Sequence, residues 1–233
     1  MPYYYGYDIW YFILVVPALL ISVWAQIKVK TTFEKYSRIG TRSGMTGAQA
    51  SIAIQRMNGL NVPVENIPGN LTDHYDPRAN VIRLSQPVGQ SNSIAAIGVA
   101  AHETGHALQY AEHYLPIHVR MAIIPVTRFA SGMAPWLLIA GLVFNYSFLA
   151  YIGVFLFGFA VLFQLVTLPV EFNASARAIR ALQSQGILTS EELEGAKKVL
   201  TAAALTYVAA MLVSLMSFLR LLIIISGRGR RNR

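Results

Sequence analysis

Four stretches of this chain are too long and too uniformly apolar to suit the interior of a water-soluble domain of its size: Ile9 to Ile27, Met121 to Asn145, Tyr146 to Val170 and Val199 to Ile225. Roughly 20 helical residues cross a hydrocarbon core about 30 Å thick, and the shortest of these runs has nineteen. Each therefore predicts a transmembrane helix. Composition agrees, with 55% hydrophobic and only 13% charged residues in 233, where soluble domains carry about 25% charged. The first run has no basic residue before it and no small-residue cleavage pattern after it, so it reads as an uncleaved anchor rather than a signal peptide. Tyr3, Tyr4, Tyr5, Tyr7 and Trp10 before it and Trp24 near its end fit the aromatic belts found at headgroup level. The second and third runs meet at Asn145-Tyr146-Ser147 and form a hairpin. Arg128 and Arg220, inside apolar runs but near their ends, are expected to snorkel toward water.

Between these runs the composition changes. Residues 28–120 and 171–198 are polar and punctuated by Gly, Pro and Asn, which divides the chain into an anchor (1–27), a catalytic-type polar domain (28–120), a hairpin (121–170), a helical segment (171–198) and a last apolar run with a basic tail (199–233). The net charge of +8 crowds next to the apolar runs, where it meets anionic lipid better than nucleic acid. The lipid bilayer is thus the expected partner and nucleic acid is not. Lys28, Lys30, Lys35, Arg38 and Arg42 follow the first run, while nothing basic precedes it, which puts the polar domain in the cytoplasm of a multi-pass cell-membrane protein. Four crossings then leave Arg228, Arg230, Arg231 and Arg233 outside, against the same rule. The first run is taken as decisive.

Within the polar domain, "SGMTGAQASIAIQRMNG" offers Thr46 as an N-cap and Asn58-Gly59 as a stop, which predicts one amphipathic helix. "LNVPVENIPGNLTDHYDPRANVIRLS" places β-prone pieces at Val62 to Glu65 and Val81 to Leu84 around two turns, which predicts a β-hairpin or meander. Of these, Val81 to Leu84 is expected to leave an unpaired edge for an extended peptide. "SNSIAAIGVAAHETGHALQYAEHY" then predicts a helix capped by Ser91 or Ser93 and buried on most sides. The fold class is α+β, with about four transmembrane helices.

That helix carries His102-Glu103-Thr104-Gly105-His106. Residues i and i+4 share a helical face, so both imidazoles can reach one ion while Glu103 stands beside it, within reach of a bound water. The chain has no cysteine, so a metal must be held by His and carboxylate, and one zinc per chain suits that donor set. With five His and eight Glu in the chain, this pattern would arise by chance in about four such chains per thousand. Two core histidines with no ligand role are the bland alternative.

A third ligand decides between them. His113, His118 and Glu112 follow on the same segment, but the longer pattern H-E-x-x-H-x-x-G-x-x-H fails at Gln109 and Glu112. "LPVEFNASARAI" offers Glu171 at the start of an Ala-rich helix, directly after an apolar run. Together, "SGMTGAQAS", "LTDHYDPRANVIRLS", "SIAAIGVAAHETGHALQ" and "EFNASARAI" make the chain resemble the bacterial neutral zinc metallopeptidase family of multi-pass membrane proteins, the YugP-like family, over most of its length. The resemblance implies that His102, His106 and Glu171 bind zinc, that Glu103 is the general base, and that the domain is zincin-like. More distantly, the chain is similar to membrane metalloproteases whose third ligand lies in an E-F-x-A-D segment. Here the fifth position is Ser175, so the carboxylate that would orient a histidine is missing, and Asn173 or Asp73 is expected to substitute.

Other residues are weaker candidates. His74 or Tyr75 can donate to a developing oxyanion, with a turn-stabilising Asp73-His74-Tyr75-Asp76 cluster as the alternative. Arg177 and Arg180 can stabilise transition-state charge, although a solvated helix face accounts for them better. The reading is a membrane-embedded zinc endopeptidase acting on membrane-associated or unfolded protein or peptide, with a membrane adaptor or homo-oligomer as further candidate partners. The alternative is a catalytically silent membrane scaffold. A metal transporter would need acidic or His residues inside the apolar runs, and none are there.

Overall fold

A computed structural model describes residues 8–229. The tyrosines of the N-terminal aromatic cluster and Arg230, Arg231 and Arg233 of the tail lie outside that range. The order of elements is a short π-helical turn Tyr11–Val15 running into α1 (Val16–Ser37), then α2 (Gly47–Met57), β1 (Val64–Ile67), β2 (His74–Asp76), β3 (Val81–Ser85), α3 (Gln86–Gly89), α4 (Ile94–Ala111), α5 (Leu115–Val143), α6 (Ser147–Ser184) and α7 (Ser190–Gly229). The described chain is thus mostly helical with one small sheet. Four of its helices, Tyr11–Ser37, Leu115–Val143, Ser147–Ser184 and Ser190–Gly227, are long and apolar enough to cross a membrane. Three continue well past the apolar runs, because nothing in "KVKTTFEKYS", "EFNASARAIRALQS" or "SEELEGAKK" breaks a helix.

The chain divides into two compact units. One comprises the chain up to Trp24, Val119–Thr167, and the chain from Thr206. Its core packs Leu138, Ala150, Val154 and Ile225 against Phe218, Leu221 and Leu222. Asn145, at φ 56°, turns the chain between α5 and α6. Small residues then let these two helices touch: a Cβ on Gly141 would stand 2.4 Å from the Ala150 nitrogen. Trp136, Phe148 and Phe155 are 70%, 74% and 68% exposed, apolar area that lipid accommodates and water does not. Arg220 Nε donates to Asp8 Oδ2 at 2.6 Å, and its guanidinium lies 5.2 Å from the Tyr11 ring centre; Asp8 directly precedes the first apolar run, so the pair stands at the end of that run.

The other unit comprises Ala25–His118 and Leu168–Leu205. Its main core joins Tyr36 of α1, Ile54 of α2, Ile97 and Leu108 of α4, Leu182 of α6, and Leu193 and Leu200 of α7. A second cluster seats Ile82 and Leu84 of the sheet on Ala100 and Ala107 of α4. Helix α2 begins at Thr46 in a capping box with Gln49 and ends at Asn58, with Gly59 at φ 65°. Ser93 caps α4, accepting from the Ala96 N–H at 3.2 Å.

The sheet is neither a simple hairpin nor a meander. Its order is β1-β3-β2, with β1 parallel and β2 antiparallel to β3. Strand β2, absent from the sequence reading, folds back on β3 through the Asp76-Pro77 turn. Val81–Ser85 is therefore the central strand, paired on both sides, and offers no edge to a peptide; the edges are β1 and β2. Its burial explains this: Val81, Ile82, Leu84 and Ser85 are all buried, as a central strand requires.

Candidate metal centre

Helix α4 lies at the middle of its unit because its small residues, Ala95, Ala96, Gly98, Ala100 and Ala101, let neighbours approach on several sides. On one side α2 is locked to it by buried hydroxyls: Ser51 Oγ and Thr104 Oγ1 are 2.7 Å apart, and Thr104 also donates to the Ala100 carbonyl. On another, α6 comes so close that a Cβ on Gly105 would stand 2.6 Å from the Ala174 carbonyl oxygen. This approach sets α6 beside His102 and His106, and one turn before Ala174 stands Glu171.

The two imidazoles, four apart on α4, lie edge to face with ring centres 4.7 Å apart. His102 Nε2 is 3.3 Å and His106 Nε2 3.6 Å from the same carboxylate oxygen, Glu171 Oε2. One ligand atom from each residue lies within 4.8 Å of the others. Zinc bonds of about 2.0–2.1 Å at tetrahedral angles separate neighbouring donors by about 3.3–3.4 Å, so the two separations to Glu171 Oε2 are close to those one ion would set and the group could hold a metal. Glu171 is 2% exposed, and a buried carboxylate demands positive charge beside it. In His106, burial pushes the pKa down, but the hydrogen bond and charge of Glu171 outweigh it and the net direction is up. Either a proton or a cation meets the demand.

The far side of each ring is also held. His102 Nδ1 shares a hydrogen bond of 3.1 Å with Ser175 Oγ, and His106 Nδ1 donates to Gln109 Oε1 at 3.0 Å. Both Nε2 atoms are thereby left to face Glu171. Gln109 is fixed in turn, donating to the Val170 carbonyl at 2.8 Å and to Asn173 Oδ1 at 2.9 Å. Asn173 also accepts from Arg177 Nε at 2.7 Å, and Arg177 pairs with Glu112 at 2.6 Å. Glu103, 9% exposed, accepts the Tyr75 backbone N–H on Oε2 at 3.0 Å.

The remaining sequence candidates fall differently. Ser175, expected to leave a gap in the support of a histidine, itself supplies a hydroxyl there. Asn173 acts one step further out, through Gln109. Asp73 hydrogen-bonds neither histidine: its Oδ1 accepts from the Ser85 N–H at 2.7 Å and from Ser85 Oγ at 3.0 Å, tying the start of β2 to the end of β3. Burial, helped by the charge of nearby Glu103, raises its pKa against those bonds. His74 is exposed, donates from Nδ1 to the Thr72 carbonyl at 2.8 Å, and hydrogen-bonds none of the cluster. Tyr75 meets Glu103 by its backbone, while its hydroxyl donates to Asn80. Arg177 is committed to Asn173 and Glu112 rather than to a solvated face. Gln109 was missed, although its place three residues after His106 and seven after His102 puts it on their face.

The sequence pattern of the family described as "Putative neutral zinc metallopeptidase" matches residues 11–226. The chain is 52% identical, over 217 residues covering 92% of it and 96% of the relative, to the "Putative membrane protease YugP" of Bacillus subtilis (strain 168). No solved structure matches it. With that pattern running nearly end to end, the chain belongs to this neutral zinc metallopeptidase family.

Proposed function

We propose that the protein is a multi-pass membrane zinc endopeptidase whose zincin-like helix α4 supplies His102 and His106 as ligands and Glu103 as general base, with Glu171 of α6 as third ligand. The observation that carries the reading is the convergence of three donor residues from two helices, a buried carboxylate and two partly buried imidazoles, with both histidines held by their opposite ring nitrogens. Three protein ligands leave the fourth position open, as catalysis requires. When bound there, zinc supplies a Lewis acid that brings the pKa of water toward 7 and polarises a carbonyl. The rest of the chemistry belongs to the chain. Glu103 accepts the proton of the attacking water and returns it to the leaving amine. The Tyr75 N–H holds its Oε2, so the carboxylate is aimed from the β2 edge of the sheet. Gln109 Oε1, an acceptor, sets the tautomer of His106, and the Ser175 hydroxyl holds the orientation of the His102 ring.

Peptide bonds are the substrate class that the family name supports. Glu171 directly follows the apolar run of α6, so the reaction lies near the membrane surface, on the cytoplasmic side given by the basic residues after the first apolar run, and suits membrane-associated or unfolded chains. Glu103→Gln tests the assignment. It should retain one zinc per chain by mass spectrometry of the purified protein while proteolysis of an unfolded membrane-anchored substrate falls about 10²–10⁴-fold or more. A variant that cleaves like the parent overturns the role of Glu103.

A further inference from the structure

Away from the candidate metal centre, a cleft of about 560 Å³ opens between the C-terminal part of α1 and the N-terminal part of α7. Lys28, Thr32 and Lys35 enter it from one face of α1, at helical spacing. From α7 come Lys197, Lys198 and Thr201. Tyr36 also lines it, and lies against α7 because residue 195 is glycine: a Cβ there would stand 2.7 Å from the ring. Against four lysines the cleft holds one acid, Glu194, which is salt-bridged to Lys197 at 2.6 Å. Lys35 lies 5.5 Å from the Tyr36 ring centre. Among the described residues neither Lys28, Lys35 nor Lys198 has an acidic side chain within ion-pair distance. Four lysines against a single carboxylate leave an excess of positive charge that is complementary to an anion.

Position along the chain says which anion. Lys28 is the first residue after the nineteen-residue run Ile9 to Ile27, whose length in a helix, about 28 Å, matches the hydrocarbon core. Its ammonium therefore emerges at headgroup depth. Below it the α1 surface is apolar and open: Leu20, Val23, Trp24 and Ile27 are each more than half exposed, as a surface for acyl chains should be. We propose that this cleft binds the phosphate of an anionic phospholipid headgroup, the lysines meeting the charge and the Thr32 and Thr201 hydroxyls donating to its oxygens. Basic pockets beside membrane helices hold lipids in this way. The inference rests on the membrane-integrated reading above.

The test uses the full-length protein purified in a non-ionic detergent and titrated separately with phosphatidylglycerol, phosphatidylcholine and inorganic phosphate, with the thermal unfolding midpoint as readout. Phosphatidylglycerol should raise the midpoint saturably and phosphatidylcholine should not. In the Lys28→Gln single variant and the Lys28→Gln/Lys35→Gln/Lys198→Gln triple variant, the half-saturating concentration should rise roughly fivefold per lysine removed at low salt. Arg56→Gln/Arg78→Gln, which removes exposed charge elsewhere, should titrate like the parent. Equal responses to the two lipids, an unshifted triple variant, or inorganic phosphate alone reproducing the effect would each overturn the proposal. Alkaline carbonate extraction separates the two readings. Release of the parent protein from membranes overturns membrane integration and the cleft with it, whereas a resistant protein whose lipid response ignores the lysines overturns the cleft alone.

Discussion

Gly105→Ala should damage the metal centre without touching a ligand. The added methyl carbon would stand 2.6 Å from the Ala174 carbonyl oxygen, 3.2 Å from its carbonyl carbon and 3.3 Å from its Cα. All three are backbone atoms of α6, so no rotamer change relieves the contact. Ordinary contact begins at 3.4 Å, and restoring it moves α4 from α6 by up to about 0.8 Å at this point. Glu171 and Ser175 ride on α6 and both histidines on α4, so the displacement falls directly on the 3.3 and 3.6 Å ligand separations. Metal sites tolerate about 0.2 Å. Overpacking costs about 1–3 kcal/mol, offset by about 0.5–1 kcal/mol from replacing a helical glycine, so the loss of global stability is modest. Zinc affinity is the sharper readout and should fall at least 10–100-fold, the range found when the support of a ligand is lost. The control is Gly98→Ala on the same helix, where the new Cβ meets Ala196 Cβ at an ordinary 3.5 Å; it should leave affinity unchanged and stability equal or up to about 1 kcal/mol higher. Competition against a chromogenic chelator measures the first quantity and thermal unfolding of the metal-free protein the second. Unaltered zinc affinity in Gly105→Ala would refute the argument that this helix contact sets the ligand geometry.

Glu171→Ala should lose zinc about as fully as His106→Ala, whereas His113→Ala and His118→Ala should retain it; full retention by the Glu171 variant moves the third ligand elsewhere. Ser175→Ala should weaken zinc about 10–100-fold through the freed His102 ring, measured by the same chelator competition. The Arg83 hydrogen bond lowers the Asp76 pKa below its ordinary 3.8, so the β2–β3 pairing gains stability above that value and loses it as pH falls through the depressed pKa. Amide exchange in β2 should accelerate in that acid window in the parent and not in Asp76→Asn. Single cysteines replacing Thr72, Gln90 and Ser190 in this cysteine-free chain should react with a membrane-impermeant reagent only from the cytoplasmic side, and labelling from outside intact cells would reverse the topology.

What could be read without coordinates was what repeats locally. Bilayer-length runs, the Thr46 and Ser93 caps and the i, i+4 histidines are each set by residues a few positions apart. The sheet was misread because its order is a long-range fact. Strand β1 pairs with β3 across the intervening β2, and the "DHYD" run of β2 is too short and too polar to announce itself as a strand. The support of the histidines was hidden for a related reason: Gln109 and Ser175 are ordinary helix residues until the α4–α6 crossing is known. That crossing is itself written in small residues. Gly105 precedes His106 by one position, and Ala174 precedes Ser175 by one, so the contact between them puts Ser175 at His102. One turn back along α6 the same contact delivers Glu171 to both imidazoles. A single close approach of two helices therefore places both the carboxylate proposed as third ligand and the hydroxyl behind His102. The glycine of His102-Glu103-Thr104-Gly105-His106 is what admits that approach, so the proposed site depends on Gly105 as well as on its histidines.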